Sequence, residues 1–95
     1  MAGYIIADVE ITDLEVYQEY AKLVPPTLEV YGGRHIVRGG EFEVLEGDHN
    51  PHRLVVIEFP SYERAIEWAR SEEYAPARAM RQRSANTSLI AVKGA

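Results

Sequence analysis

Cysteine is absent from the 95 residues of this chain. Its absence excludes a disulfide framework, a thiolate metal site, an iron–sulfur cluster and a thiol nucleophile, and a chain without thiols suits a reducing compartment. The first residues carry neither a basic stretch nor a long apolar run, so we expect no signal peptide there. No apolar run approaches the ~20 residues that span a bilayer. We therefore expect a cytoplasmic protein that makes no contact with a membrane.

The chain also lacks the charge and the motifs of several common functional classes. Its net charge is -5, and an acidic protein repels the phosphates of nucleic acid. It contains no phosphate-binding loop, dinucleotide fingerprint, serine elbow or carboxylate pair at glycosidase spacing. His49 and His52 lie three apart in a loop that offers only Asp48 as a further ligand. We therefore expect no nucleic-acid partner, no metal site and no cofactor.

The length of the chain allows one domain, residues 1–95. Its apolar periodicity predicts strands at residues 4–11, 34–38, 53–59 and 88–93, with an extended piece at 42–46 after the second strand. Helices are predicted between residues 12 and 32, from 62 to 70 and from about 72 to 83. The order β-α-β-β-α-β, with an additional short helix, predicts a ferredoxin-like α+β fold. Such a fold has an antiparallel sheet with helices on one face.

Particular residues mark the ends of these elements. Thr12 and Glu15 have the spacing of a capping box, which predicts Thr12 as the N-cap of the first helix. Pro25-Pro26 interrupts the apolar stripe of that helix and predicts a kink or a restart. Gly32 predicts its end, because glycine adopts the left-handed conformation without steric cost. Gly39-Gly40 predicts either a tight hairpin or a sharp bend, and the sequence does not decide between them.

The predicted strands are apolar on both faces of the sheet. A sheet covered by helices on one face should alternate apolar and polar residues, but residues 5–6, 54–57 and 89–92 are apolar at both parities. One domain of this size has enough helix to cover a single face. We therefore predict a homodimer in which the sheet of a second copy covers the other face with two-fold symmetry. The alternative is a monomer whose apolar face binds something else.

Three polar residues of the strands are candidates for a site. His35 is either a sheet histidine with internal partners or a base that faces a cleft. Arg38 precedes two glycines, where its planar guanidinium group can bind a carboxylate of the protein or of a ligand. Glu58 lies in an apolar strand and needs a cationic partner, for which Arg38 or Arg81 is available. Such a pair is either structural or part of a site.

Four aromatic residues are candidates for the walls of a pocket. Tyr17 lies on the apolar stripe of the first helix, whereas Tyr20 and Tyr74 flank helix edges, where a buried hydroxyl needs a partner. Together with Trp68, they either line a pocket for a small aromatic or acidic molecule or serve ordinary packing. The sequence leaves both interpretations open.

The chain resembles a known family along essentially its whole length. The segments that carry the resemblance keep their order and spacing: Gly3–Ile6, Asp13 with Tyr17 and Tyr20, Tyr31–Gly33, Val37–Gly40, Leu45–Gly47, Val56–Ser61, Ala65 with Trp68, Ser71–Tyr74 and Arg81. They are similar to the domain of unknown function 1330 family, which is placed in the dimeric α/β barrel superfamily. The resemblance implies that fold and a homodimer. It implies no reaction, because this family has no settled one and fold does not imply function.

These expectations describe a homodimer with a small-molecule pocket between sheet and helices in each subunit. Relatives in the wider superfamily include cofactor-free oxygenases and isomerases. By analogy with them, an enzyme of this kind would catalyse cofactor-free isomerisation or oxygenation of a small acidic or phenolic compound. The alternative is a non-catalytic dimer that senses a ligand or has a structural role. The predicted catalytic residues are His35, Arg38, Glu58 and Tyr20. The predicted ligand-binding residues are Trp68, Tyr74, Tyr17 and Arg81.

Overall fold

Four strands and three helices make up the computed structural model, which describes residues 1–95. The strands are β1 (Gly3–Ile11), β2 (Arg34–Arg38), β3 (Leu54–Phe59) and β4 (Ala85–Lys93). The helices are α1 (Leu14–Tyr31), α2 (Tyr62–Arg70) and α3 (Ala75–Ser84). None of these helices combines the length and the apolar character that crossing a membrane requires.

The strands form one antiparallel sheet in the order β2-β3-β1-β4. Helix α1 connects β1 to β2, and β3 lies between these two strands. Helices α2 and α3 connect β3 to β4 in the same way, with β1 between them. Each half of the chain is therefore a split βαβ unit. The predicted α+β class with an antiparallel sheet is confirmed.

The helices pack on one face of the sheet, which we call the inner face. Alternate residues of the two central strands supply an apolar surface there. They are Ile5, Ala7, Val9, Val55 and Ile57, all of them buried. The helices contribute the other half of the same core through Tyr17, Val24, Leu28, Ala65 and Trp68. Burial of this shared surface is what holds the helices against the sheet.

The outer face of the sheet is also largely apolar. Tyr4, Ile6 and Val56 are half-buried there, whereas Ile90 and Val92 of β4 are 58% and 42% exposed. The register pairs Ile90 with Ile6 and Val92 with Tyr4, so these residues form one continuous patch. The two-sided apolar character expected from the sequence is therefore present. Coverage of the outer face by a second copy stays a prediction.

Helix α1 begins one residue later than the capping pattern predicts. Its N-cap is Asp13 rather than Thr12, because the Val16 amide donates to Asp13 Oδ1 at 3.3 Å. Asp13 also has the extended backbone that an N-cap requires. The helix ends as predicted at Gly32, whose φ is 73°.

The two prolines of α1 do not break the helix, contrary to the prediction of a kink or restart. The helix runs through Pro25-Pro26 as one segment. Both prolines are exposed, whereas Val24 before them and Leu28 after them are buried in the core. Packing on either side of the prolines therefore offsets the loss of the backbone hydrogen bonds that prolines cannot donate.

The connection from β2 to β3, residues 39–53, is long and irregular. Gly39 has a φ of 67°, and its amide donates to the Leu54 carbonyl oxygen at 2.8 Å. Gly39-Gly40 is therefore a bend and not a tight hairpin. The predicted extended piece at 42–46 is wrong, because these residues pair with no strand. The last strand begins at Ala85 rather than at residue 88, because its first residues pair with the end of β1.

We predict that Asp13→Ala lowers the free energy of unfolding by about 1 kcal/mol, because it removes the side-chain acceptor at the start of α1. Thr12→Ala is the matched control and should change that free energy by less than about 0.5 kcal/mol. Urea unfolding followed by far-ultraviolet circular dichroism measures both. Equal losses in the two variants would contradict the assignment of Asp13 as the N-cap.

Candidate functional site

A pocket lies between the inner face of the sheet and α1. Most of its wall is apolar and comes from both layers, including Ile5, Val9, Val24, Val55 and Leu89. The pocket is partly open to solvent and encloses about 60 Å³. A water molecule needs roughly 10–15 Å³ of such a cavity, so the enclosed part has space for about four to six water-sized groups.

Two basic side chains reach this pocket from β2. His35 and Arg38 are three residues apart, and in a regular strand such residues face opposite sides of the sheet. A β-bulge between His35 and Val37 shifts the register of β2 against β3. His35 then lies opposite Ile57 and Arg38 opposite Val55, both of which are inner-face residues. The bulge therefore brings both side chains to the pocket.

Two further arginines reach the pocket, Arg53 immediately before β3 and Arg81 from α3. Arg81 is only 7% exposed, and its Nε and Nη1 atoms are buried without a hydrogen-bond partner. Nη1 of Arg53 is likewise buried without a partner. No carboxylate lines the pocket, and no ion pair includes Arg38, Arg53 or Arg81. The pocket thus has an excess of positive charge that an anion would balance.

Two tyrosines of α1 add hydroxyl groups to the wall. The rings of Tyr17 and Tyr20 lie 5.2 Å apart, and the Tyr20 and Tyr74 hydroxyls share a hydrogen bond of 2.8 Å. Burial raises the pKa of Tyr17, although the charges of Arg53 and Arg81 oppose this effect. Burial and the neighbouring Tyr74 raise the pKa of Tyr20 as well. Both phenols are therefore neutral at physiological pH and can donate a hydrogen bond.

His35 is the group of the pocket whose ordinary pKa lies near neutrality. Burial lowers the pKa of its imidazole, and the charges of Arg38 and Arg53 lower it further. The imidazole is therefore neutral at pH 7 and can accept a proton. A neutral base beside guanidinium groups can remove a proton from carbon, because the guanidinium groups stabilise the negative charge that develops.

The structure brings together most of the side chains that the sequence suggested for a site. Those that line the pocket are Tyr17, Tyr20, His35, Arg38, Trp68 and Arg81. Tyr74 lies behind the wall, fully buried, with its ring centre 4.0 Å from that of Trp68. Its hydroxyl contacts the pocket only through the Tyr20 hydroxyl.

Sequence analysis did not identify Arg53 as a pocket residue. The sequence predicted Arg53 as the first residue of the third strand, whereas β3 begins at Leu54. The spacing of Arg53 in the sequence could have placed its side chain on the inner face. Arg53 is two residues before Val55 and four before Ile57, and both of these residues face inward. A basic residue in phase with buried apolar residues is a candidate for a pocket facing the core.

Glu58 lies outside the pocket, and its predicted pairing with Arg38 or Arg81 is wrong. It has the opposite parity to the buried residues of β3 and therefore projects from the outer face. Arg34 Nε donates to Glu58 Oε1 at 2.8 Å, and the Tyr4 hydroxyl donates to Glu58 Oε2 at 3.2 Å. The hydrogen bond from Arg34 lowers the pKa of Glu58. Glu58 belongs to an ion pair at the edge of the sheet, where it does not reach a ligand in the pocket.

The two loop histidines contact acidic residues of β1. His49 Nε2 lies 3.5 Å from Asp8 Oδ2, and His52 Nε2 lies 3.4 Å from Glu10 Oε2. The His52 amide also donates to Asp8 Oδ1 at 2.8 Å. These contacts hold the 39–53 connection against β1. No three histidine or acidic side chains of the chain are grouped as a metal ion requires.

Comparison with known proteins identifies a family and a fold. The family model described as Domain of unknown function (DUF1330) matches residues 2–95. The RPA0582 protein of unknown function from Rhodopseudomonas palustris is 23% identical, with a TM-score of 0.76 over 99% of this chain and 82% of that chain. The methylated RPA0582 protein gives the same identity and TM-score, with 81% of that chain covered. No curated protein matches the chain. At this identity the likeness to RPA0582 shows the fold alone.

We predict that the free energy of unfolding falls as pH is lowered from about 7.5 to about 5.5, and that His35→Gln reduces this fall. The folded-state pKa of His35 is below its ordinary value of 6.5. The unfolded chain therefore binds more protons in this range, so acid favours unfolding. Urea unfolding at each pH measures the effect, and His49→Gln is the control that should retain the fall. A fall as steep in His35→Gln as in the wild type would contradict the neutral imidazole.

Proposed function

The chain belongs to the family described as Domain of unknown function (DUF1330), and we propose that it binds a small organic anion in the pocket of each subunit of a homodimer. One observation supports this proposal above the others. Arg53 and Arg81 carry buried guanidinium nitrogens that have no partner, in a pocket without a carboxylate. A ligand carboxylate would supply the missing acceptors.

The energetics of a buried arginine support an anionic ligand. A guanidinium group stays charged throughout the working pH range of a protein. An unpaired buried ion is unfavourable because it has left water without gaining an opposite charge. Arg81 is in this position, with two nitrogens that donate no hydrogen bond to the protein. A carboxylate beside it forms charge-assisted hydrogen bonds, which are stronger than neutral ones.

The chemistry of the pocket favours a carboxylic acid over a phenolic compound. A phenol has a pKa of about 10 and is neutral at physiological pH, so it would not balance the guanidinium charges as a carboxylate does. The neutral His35 imidazole can accept a proton, and the neighbouring guanidinium groups can stabilise an enolate. Of the two reactions that analogy with the wider superfamily suggests, proton-transfer isomerisation therefore has more support than oxygenation. Ligand sensing without turnover is the alternative.

The outer face of the sheet supports the dimeric part of the proposal. Its exposed apolar residues form a continuous patch that none of the helices covers. A second copy offers the same patch, so two outer faces can pack against each other about a two-fold axis. If each copy buries about 800 Å² of largely apolar surface, the hydrophobic contribution is on the order of 20 kcal/mol per copy before the entropy of association opposes it. The resulting assembly is the dimeric α/β barrel.

Isothermal titration calorimetry with succinate, at constant ionic strength, tests anion binding. We expect the wild type to bind and Arg81→Gln to bind roughly tenfold more weakly or worse, because it loses hydrogen bonds worth about 1.5–3 kcal/mol to a charged group. Arg34→Gln is the matched control, since Arg34 lies on the other face of the sheet and pairs with Glu58. Equal affinity of Arg81→Gln and wild type would contradict the proposed site.

Proton exchange separates an isomerase from a sensor. For a carboxylate that binds, nuclear magnetic resonance in D₂O follows the hydrogen on the carbon next to the carboxylate. Exchange that is catalysed by the wild type and lost in His35→Gln supports proton transfer by this imidazole. Binding without exchange would favour the ligand-sensing dimer.

Sedimentation velocity tests the dimer. We expect the wild type to sediment with twice the 10.7 kDa mass of one chain, and Ile90→Glu to sediment as a monomer, because a charge on the outer patch cannot be buried without a partner. Leu14→Glu on α1 is the matched control, since Leu14 and Ile90 are each 58% exposed. A wild type that stays monomeric at micromolar concentration would contradict this part of the proposal.

A further inference from the structure

We infer that the anion is a short dicarboxylate, bound at one end by Arg81 and at the other by Arg53. This inference rests on the proposed function and specifies the chemical class of the ligand. The number of positive charges in the pocket supports it. The pocket has two guanidinium groups with buried, unpartnered nitrogens, and it has no acidic side chain. A monocarboxylate balances one of these charges, whereas a dicarboxylate balances both.

The two guanidinium groups reach the pocket from different elements of the fold. Arg53 lies at the β2 side, 5.8 Å from the centre of the Tyr17 ring, and its charge also acts on His35. Arg81 enters from α3, where its charge acts on Tyr20 as well as on Tyr17. Tyr17 is the side chain that both arginines approach. Two separate positive charges near the same phenol match a ligand with a negative charge at each end.

The two ends also differ in depth. Arg81 is 7% exposed, so its guanidinium group lies away from solvent. Arg53 is half-buried, and Arg38 beside it is exposed. The first carboxylate is therefore enclosed with Arg81, and the second meets Arg53 and Arg38 near solvent. A ligand bound in this way enters with its inner carboxylate first.

The enclosed volume limits the length of the ligand. About 60 Å³ holds roughly four to six non-hydrogen atoms, which is one carboxylate with one or two methylene carbons. The side chains of Val24, Val55 and Leu89 offer apolar contact to those carbons. The second carboxylate then lies at the open side. Malonate and succinate have these dimensions, whereas longer diacids add methylene carbons that the enclosed volume does not hold.

Gly39 determines the position of the Arg53 end. Its φ of 67° favours glycine, and a Cβ at this residue would lie 2.5 Å from Nη1 of Arg53. The guanidinium group therefore occupies space that a side chain at position 39 would take. Gly39→Ala should displace it and weaken contact with the second carboxylate alone. Gly39 is in this sense a positioning residue for the outer end of the ligand.

Calorimetric dissociation constants for matched acids test the inference, at constant ionic strength. We expect malonate to bind the wild type at least roughly tenfold more tightly than propanoate, and succinate similarly more tightly than butanoate. Arg53→Gln should markedly lower both ratios, because the second carboxylate loses this guanidinium partner. Gly39→Ala should lower both ratios, and Arg34→Gln should keep them.

The outcomes separate this inference from the proposed function. Equal affinities within each pair in the wild type would overturn the dicarboxylate and leave anion binding in place. Failure of all four acids to bind would contradict both. Tightest binding by glutarate or adipate would contradict the length argument. These comparisons use the wild-type protein, so they test dicarboxylate binding even if a variant fails to fold.

Discussion

Positive charge buried without an acidic partner is the constraint on which this account of the molecule depends. The chain has 15 acidic and 10 basic residues, yet the pocket is lined by Arg38, Arg53 and Arg81 and by no carboxylate. An unpaired ion in a low-dielectric interior is unfavourable, and core packing alone gives no reason to keep one. A chain so rich in carboxylates has ample means of pairing these groups. A pocket that a ligand anion completes explains why they are unpaired.

The fold gathers this charge from elements that are far apart in the sequence. The bulge in β2 turns two side chains inward instead of one, and the 39–53 connection returns the chain to the inner face at Arg53. Helix α3 adds Arg81 from the opposite layer. The apolar walls then have two effects. They keep the Tyr17 phenol and the His35 imidazole neutral, and they strengthen every contact that a bound anion makes with the guanidinium groups.

Much of the fold could be predicted from the sequence, because periodicity reports which residues face a core. The runs of β-branched and aromatic residues in β1 and β3 and the stripe on α1 led to the α+β class. Most pocket residues could also be predicted, because Tyr17 lies on the apolar stripe of α1, and Tyr20 and Trp68 are aromatic residues at helix edges. Glu58 was misassigned although its parity indicated the outer face. The β2 bulge had no sequence signal beyond the two glycines that follow it. Tertiary packing, which overrode Pro25-Pro26, is invisible to any local pattern.

The most direct test of the central claim is a crystal structure of the protein with saturating succinate. The account predicts electron density for the diacid inside the pocket, with one carboxylate within hydrogen-bonding distance of Arg81 and the other beside Arg53. Density for water alone in the pocket would contradict it. So would succinate bound elsewhere while the guanidinium groups keep their unpartnered nitrogens.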